Sequence, residues 1–116
     1  ELGYQSDLEY YILGGGIGSR WSFDSDNEYV DVGENLRAAF ARNPHMRVFV
    51  AFGYYDAATP YFAAQYSLDH LRLPAALKSR ISSGFYEAGH MMYIHLPSLS
   101  QLSGDVRGFV GLATTP

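Results

Sequence analysis

The chain has 116 residues, 47% hydrophobic and 17% charged, so it suits one folded domain and is too apolar to be disordered. Its net charge of −4, without a basic stripe, argues against nucleic-acid binding. No signal peptide is visible, and no apolar run approaches the roughly 20 residues of a membrane span. The lack of cysteine excludes disulfides, thiolate nucleophiles and cysteine-based zinc sites.

The first half of the sequence predicts an irregular segment, a helix and a strand. Residues 1–30 form the irregular lead-in, because the glycine-rich run at 14–18 disfavours regular structure. A helix is predicted over Asp31–Asn43, capped by Asp31 with Glu34 in capping-box register. The continuous apolar run Arg47–Phe52 predicts a strand buried on both faces.

The second half predicts two helices, a strand and a last helix. Thr59 is the expected cap of the first of these helices, which begins at Pro60 and ends near Leu73-Pro74. The apolar side of that helix comprises Phe62, Ala63, Tyr66 and Leu71. A short helix over Pro74–Lys78, a strand over Ile81–Glu87 and a long helix opened by Pro97 follow.

Strands that alternate with helices predict an α/β fold with a parallel sheet. Two strands make a small sheet, and an apolar strand with an unpaired edge is prone to associate. We therefore expect the strand at Arg47–Phe52 to find a further neighbour, either residues 2–13 or a second copy of the chain.

Two acid–base side chains follow the carboxyl ends of the predicted strands, where open α/β sheets place their functional groups. Asp56 follows the first strand and His90 follows the second. Adjacent parallel strands would bring the two loops together, so that the carboxylate orients the imidazole for proton transfer. The alternative is that Asp56 caps the turn at Thr59-Pro60 and that His90 is an ordinary loop residue.

The segments that carry these two residues resemble a known family. Gly53–Pro60, with the sequence GYYDAATP, and Ala88–Tyr93, with AGHMMY, are similar to the carboxy-terminal part of bacterial serine carboxypeptidase-like peptidases. Tyr29–Val32 and Asn43-Pro44 also fit, and the resemblance covers about residues 20 to 112.

The resemblance implies an α/β-hydrolase fold and release of carboxy-terminal residues from peptide substrates, without a metal or organic cofactor. It implies that Asp56 is the triad acid, that His90 is the triad base and that Met91 lines the pocket for the departing residue. Aromatic residues beside the pair, Tyr55 among them, are candidates to line a peptide-binding cleft.

The nucleophile of that family is absent from this sequence. A serine elbow has the pattern G-x-S-x-G, and the chain contains none. We therefore expect residues 31–116 to be the carboxy-terminal βαβα portion of a larger α/β-hydrolase domain, inactive when isolated. Two alternatives remain: another α/β-hydrolase, such as an esterase or an aminopeptidase, or a non-catalytic module that binds a partner through its open sheet edge.

Overall fold

The computed structural model describes residues 3, 5–9, 14–16, 18–22 and 30–114. Internal contacts divide the chain into two units, residues 1–31 and residues 32–116. Within the first unit, two short 3-10 helices span Gly14–Gly16 and Gly18–Arg20. The elements that carry the candidate functional residues all belong to the second unit.

A two-stranded parallel sheet lies at the centre of the second unit. Strand β1 spans Val48–Gly53 and strand β2 spans Ile81–Tyr86, with Val48 opposite Ile81 and Gly53 opposite Tyr86. The predicted strands and the α/β class are thereby confirmed. Backbone pairing continues beyond the strand ends, where Tyr54 N–H donates to Tyr86 O at 2.9 Å. The loops that follow the two strands therefore leave the sheet side by side.

A long helix covers one face of this sheet. Helix α4 spans Leu96–Thr114, so the helix predicted from Pro97 is confirmed. The rings of Phe49 on β1 and Phe109 on α4 lie 5.7 Å apart. The phenol of Tyr86, fully buried, donates to Asp105 Oδ2 at 2.8 Å. Burial, and then this hydrogen bond, raise the pKa of Tyr86 well above its ordinary value.

The glycine within β2 has a packing reason. A Cβ atom at Gly84 would meet the hydroxyl of Tyr86, and it would lie 2.9 Å from the ring of Phe49. The two aromatic rings therefore occupy the space that a side chain at position 84 would need, which explains how a strand tolerates glycine there.

Aromatic side chains lie against the opposite face of the sheet. Phe85 contacts Phe52, Tyr54 and Tyr61 at ring separations of 5.2 to 5.9 Å. Burial is nevertheless incomplete, because Val48–Ala51 are only half-buried while Phe52 and Gly53 are buried. Arg47, the first residue of the predicted strand, is exposed, so the prediction of a strand buried on both faces is wrong for Arg47–Ala51.

The first helix of this unit begins later than predicted. Helix α1 spans Gly33–Arg42, and Val32, which occupies the cap position, makes no side-chain capping bond. The cap position is therefore Val32 and not Asp31 as predicted. Glu34 instead accepts a hydrogen bond from Arg37 Nε at 2.8 Å, which draws its carboxylate along the helix and away from the amino terminus.

The second helix is shorter than predicted and less buried. Helix α2 spans Tyr61–Asp69, and the short helix α3 spans Ala75–Lys78, close to its expected bounds. Arg72 has a φ of 52°, a left-handed conformation that cannot continue an α-helix. On the predicted apolar side, Phe62, Ala63 and Tyr66 are exposed, whereas Leu71 is buried but lies beyond the end of the helix. Pro60, not Thr59, occupies the cap position.

The further neighbour expected for β1 is not seen among the described residues, whose sheet consists of β1 and β2. Residues 3 and 5–9 form no strand, and the other positions of the predicted segment 2–13 lie outside the described residues. Pairing with a second copy stays a prediction. Within the described part of the chain, no helix combines the length and the apolarity that crossing a membrane requires.

Candidate active site

The candidate site lies at the carboxyl ends of the two parallel strands. Asp56 closes a turn after β1, in which its N–H donates to Gly53 O at 3.2 Å, and His90 lies four residues after the end of β2. Tyr55 N–H donates to Ala88 O at 3.0 Å and thereby joins the two loops. In this arrangement His90 Nδ1 lies 2.9 Å from Asp56 Oδ2, a hydrogen-bonding distance between two residues 34 apart in sequence.

The carboxylate of Asp56 is held by the segment that follows it. Its Oδ1 accepts hydrogen bonds from the N–H groups of Ala58 and Thr59, both at 2.9 Å. Its Oδ2 accepts a bond from Thr59 Oγ1 at 2.6 Å, in addition to the contact with His90. Asp56 therefore organises the turn before Pro60 and also contacts His90, so the two placements weighed from the sequence do not exclude one another.

These hydrogen bonds favour the ionised form of Asp56. The bond from the Thr59 hydroxyl, then that from the Thr59 N–H, then that from His90, hold the pKa of the Asp56 carboxyl well below its ordinary value. Its side chain retains 7% of its accessible surface, compared with 62% for His90. The pair thus combines a shielded carboxylate, whose ionised form is favoured, with an imidazole that solvent can reach.

The imidazole presents its two nitrogens to different surroundings. Every hydrogen bond between the His90 ring and the described residues involves Nδ1, which lies beside Asp56 and Thr59. Nδ1 is the atom through which a carboxylate orients a catalytic imidazole, whereas Nε2 is the atom that exchanges protons with the nucleophile. The geometry therefore suits general acid–base chemistry at Nε2.

The close approach of the two loops requires a glycine at the end of β1. A Cβ atom at Gly53 would meet Gly89 O and would lie 2.6 Å from Ala88 O. Because the carbonyl groups of the His90 loop occupy this space, a side chain at position 53 would push that loop outward. Gly53 thereby permits the distance between Asp56 and His90.

An open pocket of about 510 Å³ adjoins His90. Its walls are formed by residues of the loop after β2 and the 3-10 turn that follows: Glu87, Ala88, Gly89, His90, Met91, Ile94 and His95. Met91 is thus a lining residue, whereas Tyr55 is exposed and does not line this pocket. His95 Nδ1 contacts Ser98 Oγ at 2.8 Å, at the start of α4. The described residues contain no cluster of three or more side chains that could hold a metal ion.

Sequence reasoning missed Thr59 as a member of the site. Its hydroxyl contacts Asp56 Oδ2 at 2.6 Å and His90 Nδ1 at 3.2 Å. A threonine before a proline is typical of a helix cap, and this pattern concealed the second use. The signal that could have identified it is the i, i+3 spacing from Asp56, because the aspartate side chain often accepts bonds from the residues just after it.

Comparison of the chain with protein-family models, with curated proteins and with solved structures gave no match. The geometry of Asp56, Thr59 and His90 at the carboxyl ends of a parallel β-α-β unit is therefore the observation on which a functional conclusion rests.

Proposed function

We propose that this chain supplies the acid and the base of a Ser-His-Asp triad in a serine carboxypeptidase-like hydrolase of the α/β-hydrolase fold. The observation that carries the proposal is the 2.9 Å contact between Asp56 Oδ2 and His90 Nδ1. The two residues follow adjacent parallel strands in the order acid, then base, which is their order in α/β-hydrolases. The resemblance of the Gly53–Pro60 and Ala88–Tyr93 segments to that family supports the choice of a peptide substrate.

In the proposed reaction, a serine attacks the carbonyl carbon of the substrate's last peptide bond and forms an acyl-enzyme. His90 Nε2 takes the hydroxyl proton and passes it to the leaving amine, and water then hydrolyses the ester. Asp56 stays ionised throughout and stabilises the imidazolium through Nδ1. The lowered pKa of Asp56 supports this role, because a carboxylate that protonated easily would lose its hold on the ring.

The serine of this proposal lies in a polypeptide segment outside these 116 residues. The sequence has no G-x-S-x-G elbow, and Ser83 of β2 lies within the strand, away from its carboxyl end. Exposed apolar residues support packing against more protein: Phe62 and Tyr66 on α2, and Leu99, Val106 and Val110 on α4. In the proposal, the chain is the carboxy-terminal portion of the hydrolase domain.

The pocket beside His90 supports the proposal that the substrate's carboxy-terminal residue binds there. Ala88, Met91 and Ile94 give it apolar walls next to the imidazole, where a leaving amine would take up its proton. Met91 is 49% exposed, so its side chain is accessible to a ligand in the pocket. A peptide whose last residue enters this pocket would place its leaving nitrogen beside His90.

The proposal is tested in the enzyme that joins this chain to a serine-bearing segment, with a blocked dipeptide as substrate and a fluorophosphonate as a probe of the nucleophile. His90→Ala should lower kcat by several orders of magnitude, up to about 10⁶. His45→Ala, the same change at an exposed histidine before β1, is the matched control and should leave kcat unchanged. Unchanged turnover in His90→Ala would refute the triad.

The isolated 116-residue chain gives a second, independent result. It should hydrolyse the blocked dipeptide no faster than buffer and should not react with the fluorophosphonate, because it lacks the serine elbow. Turnover above buffer that disappears in His90→Ala would show that the chain contains its own nucleophile, and this would overturn the proposed division of the triad.

A further inference from the structure

The geometry points to Thr59 as a positioning residue whose hydroxyl holds the Asp56 carboxylate beside His90 and thereby keeps the proton of His90 on Nδ1. The inference deepens the proposed function and rests on it for its catalytic purpose, whereas its structural content stands on three contacts. Thr59 Oγ1, Asp56 Oδ2 and His90 Nδ1 form a triangle with sides of 2.6, 2.9 and 3.2 Å. Each atom of the triangle is within hydrogen-bonding distance of the other two.

Counting protons in this triangle selects one arrangement. The ionised carboxylate of Asp56 is an acceptor only, and a hydroxyl has one proton to donate. The shortest side joins Thr59 Oγ1 to Asp56 Oδ2, so the hydroxyl proton lies there. The lone pairs of Oγ1 then face His90 Nδ1. Both atoms beside Nδ1, Asp56 Oδ2 and Thr59 Oγ1, are then acceptors. Nδ1 must therefore carry a proton, which it shares between these two oxygens.

The alternative tautomer is disfavoured by the same count. If the neutral ring carried its proton on Nε2, the Nδ1 lone pair would face the Asp56 carboxylate at 2.9 Å without a proton between them. Only the Thr59 hydroxyl could relieve this contact, and it would then leave its 2.6 Å bond to Oδ2. The triangle therefore leaves the lone pair on Nε2, where a base needs it.

The position of Thr59 in the chain makes this arrangement local and rigid. Its N–H donates to Asp56 Oδ1 at 2.9 Å and its hydroxyl donates to Oδ2, so Thr59 bonds to both oxygens of one carboxylate. Pro60 follows directly and limits the backbone of Thr59 to extended conformations. The Asp56 carboxylate is thus held, with Oδ2 beside His90, by contacts within its own loop.

The test compares two substitutions at position 59 in the 116-residue chain. Thr59→Val keeps the branched shape and the N–H but removes the hydroxyl, and Thr59→Ser restores the hydroxyl. Thr59 is exposed, so loss of its hydroxyl leaves no buried polar group unpaired in the core. Thr114→Val, the same change at a hydroxyl that only contacts backbone carbonyls within α4, is the matched control.

The readout is the nitrogen NMR spectrum of neutral His90, which distinguishes the two tautomers directly. The unmodified chain, Thr59→Ser and Thr114→Val should show the Nδ1–H form. Thr59→Val should show a mixture with a clear Nε2–H component, because Asp56 Oδ2 loses the bond that holds it beside Nδ1 and the acceptor for the Nδ1 proton moves away. The carboxyl carbon of Asp56 should also titrate at higher pH in Thr59→Val, because the hydroxyl bond is the largest cause of its lowered pKa. If Thr59 acted only through its N–H bond to Asp56, which Thr59→Val keeps, neither the His90 tautomer nor the titration of Asp56 would change.

Two results would overturn the inference. One is an unchanged His90 tautomer in folded Thr59→Val. The other is an Nε2–H tautomer in the unmodified chain, which is decisive even if Thr59→Val fails to fold. Neither measurement involves turnover, so failure of the proposed hydrolase function would leave the inference standing, and its own failure would not by itself refute the triad.

Discussion

Gly53→Ala is the substitution that most directly tests how the fold positions the site. The added Cβ atom would meet Gly89 O and would lie 2.6 Å from Ala88 O and 2.9 Å from the carbonyl carbon of Gly89. Ordinary non-bonded contacts to a carbon atom are about 3.5 Å or longer. The loop after β2 must therefore move away from β1 by about 1 Å.

That displacement breaks two contacts between the loops. The bond from Tyr55 N–H to Ala88 O, now 3.0 Å, and the contact from His90 Nδ1 to Asp56 Oδ2, now 2.9 Å, would both exceed hydrogen-bonding distance. Losing the backbone bond costs about 1 kcal/mol. Overpacking at a buried site adds about 1–3 kcal/mol. We expect the free energy of unfolding to fall by about 2–4 kcal/mol.

Gly89→Ala is the matched control, because its Cβ atom would lie 3.8 Å from Tyr55 O in ordinary contact. Urea denaturation of both variants measures the stability difference, and the NMR spectrum of His90 reports whether its Nδ1 proton is still bonded. In the proposed serine-bearing hydrolase, a misplacement of about 1 Å should also cost about 100-fold in kcat. If Gly53→Ala matched Gly89→Ala in stability and kept the Nδ1 proton bonded, the close-approach argument would be wrong.

Four further predictions concern acidic pH, the hydrogen bond of Tyr86, alkaline pH and assembly. The lowered pKa of Asp56 stabilises the fold above the ordinary carboxyl pKa of about 4, and this contribution is lost as the pH falls through the lowered value. The stability deficit of Asp56→Asn should therefore shrink in acid, and a deficit that urea titrations find constant would contradict this. Tyr86→Phe should lose about 1–3 kcal/mol, because the part-buried carboxylate of Asp105 loses its donor, whereas Tyr93→Phe at an exposed site should be neutral. The raised pKa of Tyr86 predicts that stability falls as the pH rises above about 10, and alkaline absorbance titration should find one tyrosine that ionises only on unfolding. Pairing through the free edge of β1 predicts an apparent mass that rises with concentration on size exclusion, and a monomer at every concentration would rule it out.

Local sequence signals predicted the strands well and the helix ends poorly. The bounds of both strands agree within one residue. For β1, a short run of valine and phenylalanine between turn residues has few alternatives to a strand. The predicted caps were Asp31 and Thr59, whereas the cap positions are Val32 and Pro60. A polar side chain near a helix start can bond to another partner that the fold places nearer. For Thr59 that partner is Asp56.

The exposed apolar side of α2 has a different cause. Hydrophobic spacing predicts which residues share a helix face, but it does not say whether the fold brings another surface against that face. Phe62 and Tyr66 share the predicted face and remain exposed, so the pattern identified a surface suited to packing without identifying its partner.

By itself, the sequence determined the alternation of strands and helices and the placement of Asp56 and His90 just after two apolar strands. Only the tertiary structure decided that these residues meet at 2.9 Å, that Thr59 joins them, and that Gly53 makes room for the His90 loop. The physical reason is that secondary-structure signals act over a few neighbouring residues. The register of two parallel strands, and the space between the loops that follow them, depend on contacts between residues more than thirty positions apart.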